Sequence, residues 1–417
     1  MEVLEIFNGL LSPEGMADPY PLYAALHEHG PIVRANEQLV LVPGYELASS
    51  VLRDSAFRVP DAESLDEVNP TWREHPSLDP DTMLTLNDDP HARIRSLFSK
   101  QFTKRRIAEL EPAVIAQTDA LLDQIADLGA GGAQVDFMDE FAFALPVTVI
   151  CELIGVPESE RDEFRPLARS LTATLEPLID EAGLLEADAA ALKLAGMFAS
   201  LVAERRARPA DDLLSGLVAA AAADEGRISE NELIQNLMLL LVAGFETTTN
   251  LLGNGVHLVL EDPAAGVELR SAGSLAAGSL AAGSLAAGSA AAAFVEEVLR
   301  FDSPVQFAED RRRKVPAEIG GYTVGPHDHL IVMLGAANHD PRRFAEPQRF
   351  WPGRPDPGPL SFGAGAHFCL GAALARLEGT IAFPRLFGRF PALAAAGPPQ
   401  RRVSLVLRGF EHLMITV

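Results

Sequence analysis

The stretch "SFGAGAHFCLGAALAR" (361–376) constrains this chain more than any other. It sets one of only two cysteines among Gly363, Gly365 and Gly371, just before an alanine-rich helical run. Glycines weaken local order, and a cysteine in a turn adds little packing, so the arrangement reads as a ligand site. A thiolate is a strong ligand for iron. The start of the following helix supplies the positive surroundings that keep such a sulfur deprotonated. The glycines let backbone N–H groups turn toward the sulfur and let a large flat cofactor lie close. His367 is placed to donate to an anionic group on that cofactor. A structural cysteine buried in a turn would explain neither the flanking glycines nor His367 and Phe362.

The second cysteine, Cys151, lies in the apolar run "LPVTVICELIGV" and reads as a small buried hydrophobe. Two cysteines in 417 residues make no disulfide framework. A formal net charge of −24 excludes the basic face of a nucleic-acid binder and disfavours an anionic membrane as partner. The chain starts "MEVLEIFNGLL", with no basic leader, and no apolar run is long enough to span a bilayer. These features together lead us to expect a cytoplasmic protein.

The 48% hydrophobic composition supports a large core, and helical spacing dominates from residue 88 to about 260. "PYPLYAALHEHG" (19–30) predicts a helix, and "PIVRA", "QLVLV" and "HLIVMLG" predict short strands. Ser229 and Glu232 form an S-x-x-E capping pattern opening a long apolar helix that "EDP" (261–263) stops. That span is about 45 Å at about 1.5 Å per residue. Near the C-terminus, Arg408-Gly409 separates two strand-like runs and predicts a hairpin. The expected fold is mainly α with small β-sheets, one domain over 1–417. Within it, "SLAAG" occurs three times between 274 and 288. A five-residue period builds no stripe on a helix or a strand, so 271–289 is expected to be a low-complexity surface insertion.

"FGAGAHFCLG" (362–371) fits F-G-x-G-x-H-x-C-x-G at every fixed position and resembles the haem-binding signature of the cytochrome P-450 family. Further patterns follow in the family's order. "EVLR" (297–300) resembles its E-x-x-R, and "FAEPQRFWPGR" (344–354) its meander. "AGFETTT" (243–249) resembles its oxygen-activating helix segment, and "DPHARIR" (89–95) its H-x-x-x-R. The resemblance implies the P-450 fold, with haem between the long helix and the cysteine loop with its following helix. It makes Cys369 the axial iron ligand and places Phe362, Gly363, His367, Gly371 and Ala243 against the cofactor. His91, Arg95 and Arg311, with Arg312 as the alternative, would take the propionates. Glu297, Arg300 and Arg354 would form a buried network. Glu246 and Thr247 would deliver protons to iron-bound dioxygen, where Gly244 and the threonines loosen the helix ladder. Val242, Val305 and Phe410, with the loop around 61–86, are implied at the substrate pocket. His339 stands where the family commonly has arginine, a change expected to alter redox-partner contacts.

The implied cofactor is haem b, with O2 as co-substrate and electrons from NAD(P)H through a ferredoxin and ferredoxin reductase. Lys104, Arg105 and Arg106, with Arg342, Arg343, Arg349 and Arg376, are the cations that could dock an acidic ferredoxin. The implied reaction is monooxygenation of an apolar small molecule, a polyketide, macrolide, terpene or peptide intermediate of secondary (antibiotic) metabolism. The alternatives are peroxide-driven or oxidative-coupling chemistry on the same haem–thiolate site, and a non-catalytic haem sensor.

Overall fold

The computed structural model describes residues 1–60, 74–78, 81–177, 179–223, 228–276, 285–308 and 310–417. Helices dominate and the sheets are small, two of three strands and two of two among the described residues. The residues divide into two compact units. One comprises Met1–Asp54, Glu111–Pro146 and Thr247–Val417, the other Ser55–Leu110 and Val147–Glu246.

The first unit carries the sheets. Leu39–Val42, an unbroken apolar run, pairs antiparallel with Val33–Arg34 and parallel with His329–Val332. Such a run suits a central strand buried on both faces, and Val40, Leu41, Val42, Leu330 and Val332 are all fully buried. All three strands lie where the sequence puts them. The C-terminus differs. Phe410–His412 pairs with Gln400–Arg401 across the irregular stretch 402–409. Met414–Thr416 instead joins Val135–Asp136 and Ala394–Ala395 in another sheet. The tight turn at Arg408-Gly409 expected from sequence is therefore not formed, because the backbone of 406–408 bonds to that of 304–306 instead of folding onto 410–412.

The second unit is helical. Glu158–Thr172 packs on Glu181–Ala207, and the latter holds the short Pro76–Leu78 turn. Asp188 takes the Ser77 hydroxyl at 2.6 Å, its N–H at 3.1 Å, and His75 Nδ1 at 2.7 Å. Cys151 is fully buried, and burial pushes its thiol up to about 12.

The long helix runs from Glu230 to Glu261, 32 residues. Its start is the anticipated reciprocal cap, Ser229 N–H to Glu232 at 2.7 Å and Glu232 N–H to Ser229 Oγ at 3.1 Å. The helix continues without interruption through 243–249, so the loosened ladder expected there is not present. Gly244 has another reason: a Cβ there would lie 2.8 Å from the Ile150 side chain. Among the described residues no helix is long and apolar enough to cross a membrane.

The "SLAAG" tract also departs from expectation. Val267–Ala276 and Leu285–Phe301 are helices, so both ends of the expected insertion continue helical elements. Alanine and leucine favour helix strongly enough to outweigh one glycine per repeat there. Residues 277–284, and 61–73 with 79–80 of the implied substrate loop, lie outside the described residues.

The Leu285–Phe301 helix carries the first unit's main polar anchor. Glu297 and Arg300 are fully buried and paired at 2.8 and 2.9 Å. Arg354 reaches the same carboxylate at 3.2 Å. The arginines' remaining donors take backbone carbonyls: Asn338, Pro347 and Arg349 for Arg300, and Ala345, Glu346 and Arg349 for Arg354. Removing one partner of such a set strands buried charge, at a cost of about 3–5 kcal/mol. Glu297→Ala is therefore expected to lower the urea midpoint by that equivalent and to cut the yield of folded protein. An unchanged midpoint would contradict the arrangement.

Candidate active site

Residues 360–372 form an irregular loop tied down on both sides. Leu360 N–H donates to Asn338 Oδ1 at 2.8 Å, and Ser361 Oγ donates to the Leu299 carbonyl at the end of the Leu285–Phe301 helix. Gly363 N–H closes a turn onto Leu360 O at 2.7 Å. The short turn Gly365–His367 follows, and Cys369 N–H returns to Phe362 O at 2.9 Å. Gly365 sits at φ +71°, and a Cβ there would meet the Leu52 carbonyl at 2.2 Å, so no other residue fits. Gly371 caps the helix Ala372–Arg389. The outcome is a thiol that is accessible, in contrast to Cys151. Gly363, at φ +66°, has nothing within 4 Å of where a Cβ would stand. Phe362 lies under the Arg376 guanidinium, 4.4 Å from ring centroid to Cζ, and Arg376 is in turn paired with Glu296. His367 is half-buried beside the loop.

On the long helix, Val242, Phe245 and Glu246 are buried, whereas Ala243 is exposed and Gly244 and Thr247 are half-exposed. Positions 243, 244 and 247 share one face of a helix, so a small-residue face with one hydroxyl is accessible on an otherwise buried element. Thr247 lies in the same compact unit as Cys369, while Val242, Ala243 and Glu246 lie in the other.

His91 and Arg95 stand one turn apart on the Asp88–Ser99 helix. Burial, reinforced by the Arg95 charge, pushes the His91 pKa down, so the imidazole is neutral near pH 7 and has one N–H to donate. Arg311 is buried on a backbone bridge to Leu330. Arg311 Nη1 donates to the Asp310 carbonyl at 3.1 Å, and Arg312 is paired with the Asp310 carboxylate and within 3.3 Å of His329. Within the first unit, the accessible thiol, the uncovered Gly363 and the buried Arg311 suit a flat, thiolate-ligated porphyrin with carboxylate substituents, and the second unit separately presents Ala243, His91 and Arg95.

Two residues, His339 and Phe410, have surroundings that differ from expectation. His339 is 1% exposed, stacked on Tyr20 at 4.6 Å, with Nε2 donating to Phe301 O at 2.8 Å. Burial pushes its pKa down to about 3, so it is a neutral core residue and no redox-partner contact. Phe410 is 1% exposed, packed on His257 and under Arg401, with its centroid 3.8 Å from the guanidinium carbon. Its ring is occupied in fixing the C-terminal segment rather than in lining a pocket. Val305 is half-buried and bridged to Leu407. The cations expected to dock a ferredoxin are largely countered within the chain. Arg342 pairs with Asp340, Arg343 with Asp356, Arg349 with Glu346 and Arg376 with Glu296. Arg105 pairs with Glu109 and Arg106 with Asp211.

The cytochrome P450 family model matches residues 187–405. The chain belongs to the cytochrome P450 family. It is 35% identical to 6-deoxyerythronolide B hydroxylase of Saccharopolyspora erythraea, over 95% of this chain and 96% of that protein. It is likewise 35% identical to the P450 monooxygenase PikC of Streptomyces venezuelae, over 98% of this chain and 93% of PikC. Among solved structures, ligand-free CYP164A2 of Mycobacterium smegmatis matches with a TM-score of 0.85 and 34% identity, covering 99% of this chain and 100% of that one. This P450 is accordingly a monooxygenase of the family, dependent on haem iron, O2 and electrons from redox partners.

One ionisable residue near the ligand loop escaped the sequence reading. Glu378, on the helix that follows Cys369, is fully buried, and neither carboxyl oxygen meets a hydrogen-bond partner. Desolvation raises its pKa well above 4.5. Its motif context, "LARLEG", looks like any amphipathic helix, so only burial reveals it. The unfolded chain releases this proton near its ordinary pKa while the folded chain keeps it. Glu378 therefore costs nothing at low pH, and stability falls as pH rises above the unfolded value. The slope approaches about 1.4 kcal/mol per pH unit for one proton. Glu378→Gln should flatten the dependence of the urea midpoint on pH between about 4.5 and 7. An unaltered slope in the variant would show the carboxylate to be ionised in the fold.

Proposed function

We propose that this P450 hydroxylates or epoxidises an apolar, polyketide-like small molecule, with electrons drawn from NAD(P)H through a ferredoxin and its reductase. One oxygen atom of O2 enters the substrate, and the other leaves as water with two protons and two electrons. What carries the reading is an accessible thiol in a glycine loop, together with Thr247 on an accessible small-residue face of the long helix and the buried Glu246 carboxyl next to it in sequence. The macrolide hydroxylase relatives support the substrate class.

Cys369 would ligate the iron of haem b, with Phe362, Gly363, His367, Gly371 and Ala243 against the ring. Arg95 and Arg311 would neutralise the propionates, and His91 would donate its N–H to one of them, by charge-assisted bonds. When bound, the haem supplies reductive activation of dioxygen on a thiolate-ligated iron. The Thr247 hydroxyl would donate a hydrogen bond toward the oxygen-binding side, and the Glu246 carboxyl would replace the proton it passes on. Val242 and Val305 would present apolar surface to the substrate.

The reduced holoenzyme should give the red-shifted carbon monoxide band of a thiolate-ligated haem, and Cys369→Ala should lose it. With 6-deoxyerythronolide B as trial substrate and a surrogate ferredoxin system, Thr247→Ala should retain haem and still consume NADPH. Product formed per NADPH should fall by about tenfold or more, with peroxide appearing instead. Full coupling in Thr247→Ala would reject the proton-delivery role.

A further inference from the structure

Asp302 is the first residue beyond the Leu285–Phe301 helix and is 2% exposed. Its carboxylate gathers donors from both ends of the chain: the Tyr20 hydroxyl at 2.7 Å, an Arg401 amine at 2.8 Å and Arg408 Nε at 2.6 Å. Arg401 also donates to Asn254 Oδ1 at 3.1 Å. Asn254 Nδ2 in turn donates to the backbone carbonyls of Asp302 at 2.8 Å and Arg408 at 3.0 Å. One carboxylate and one amide thus join the long helix to two separate stretches, 303–307 and 401–410. Those stretches are also stitched to each other. Arg408 N–H reaches Pro304 O and Gln306 N–H reaches Val406 O, both at 2.9 Å, and Val305 bridges Leu407.

Asn254 stands on the same helix as Thr247, seven residues and about 10 Å further along the axis. The 303–307 stretch holds Val305, which the reading above gives to the substrate. We infer that Asp302 and Asn254, acting with Arg401, are positioning residues. They set where the 303–307 and 402–409 stretches lie relative to Thr247, and so which substrate shapes reach the iron. This inference rests on the haem–thiolate reading. Backbone bonds hold the two stretches to each other, but 402–409 forms no strand, so it is these side chains that set where the stitched pair lies against the long helix. Arg401 is the member to vary. With both arginines the cluster carries one excess positive charge, and removing Arg401 leaves a neutral Asp302–Arg408 pair. Arg408 is the more deeply buried of the two and also ties down Met16 and Ala17 carbonyls.

The test uses haem-loaded holoenzyme and two iron-ligating probes of different size, imidazole and econazole, titrated optically in the parent, Arg401→Met, Arg401→Lys and Asn254→Ser. The expected result is an econazole Kd shifted by about tenfold in Arg401→Met and Asn254→Ser, with imidazole within about twofold of the parent. Arg401→Lys should recover part of the shift. Unchanged econazole binding in both variants overturns the inference. So does an equal shift for both probes, which would mean general damage to the haem site. Failure of both variants to load haem overturns it as well, because the network would then be holding the fold rather than shaping the pocket. If imidazole gave no haem-ligand spectrum in the parent, the haem–thiolate reading itself would have failed, a distinct outcome.

Discussion

The carboxylate of Glu297 is the interaction on which the ligand loop depends. Between the helix Leu334–Ala337 and the turn Gly365–His367 the described chain has no helix or strand. Its backbone carbonyls therefore need partners from elsewhere. Arg300 and Arg354 supply them, and the Glu297 carboxylate holds both guanidiniums while also accepting the Trp351 N–H at 2.9 Å. The carbonyl of Asn338 is one of those collected, and the amide of Asn338 then fixes Leu360 and Ser361. From Ser361 the chain turns directly into the glycine loop that presents Cys369. The route from a buried ion pair to the position of a sulfur atom is unbroken. A buried network of this kind specifies geometry more than it adds stability. That is what a loop without secondary structure requires if it is to hold one thiol in a fixed place.

The elements most legible in the sequence were those with a dense local code. The S-x-x-E cap of the long helix, its stop at Pro263 and the three strands around Val40 follow from patterns a few residues long. So does the Glu297–Arg300 pairing, since residues three apart on a helix are neighbours. The accessible thiol was readable too, because glycines with positive φ beside a cysteine have few other uses. What was not legible depended on contacts distant in sequence. The C-terminal runs look like a hairpin, yet Met414–Thr416 finds better partners at Val135–Asp136 and Ala394–Ala395. His339 and Phe410 carry no local sign of burial. Gly244 looked like a helix weakener and instead admits Ile150. Glu378 lies in a run that codes only for helix.

Charge offers a related lesson. A count of cations around the ligand loop suggests a basic face, but each arginine from 342 to 376 named for docking has an intramolecular carboxylate. Pairs of this kind contribute little to stability when exposed, and they lower the field available to steer a partner. With a net charge of −24, no broad positive potential is available to attract an acidic partner, and any such attraction has to come from local geometry and from exchange of these pairs.

The helix Leu285–Phe301 links these themes. On its last turns it carries Glu297 and Arg300, which support the thiolate side. One residue beyond its end it delivers Asp302, which gathers Tyr20, Arg401 and Arg408. Burial alone would push the Asp302 carboxyl up, and the two arginines outweigh it and hold the group far below the usual carboxylate range. The same short stretch therefore sets two ionic hubs, each one carboxylate between two guanidiniums, one behind the Cys369 loop and one beside the 303–307 segment. A displacement of this helix end would be felt at both, whereas a change confined to Arg401 or Asn254 would be felt at one. That separation lets the 303–307 and 402–409 stretches vary without disturbing the residues that hold the sulfur.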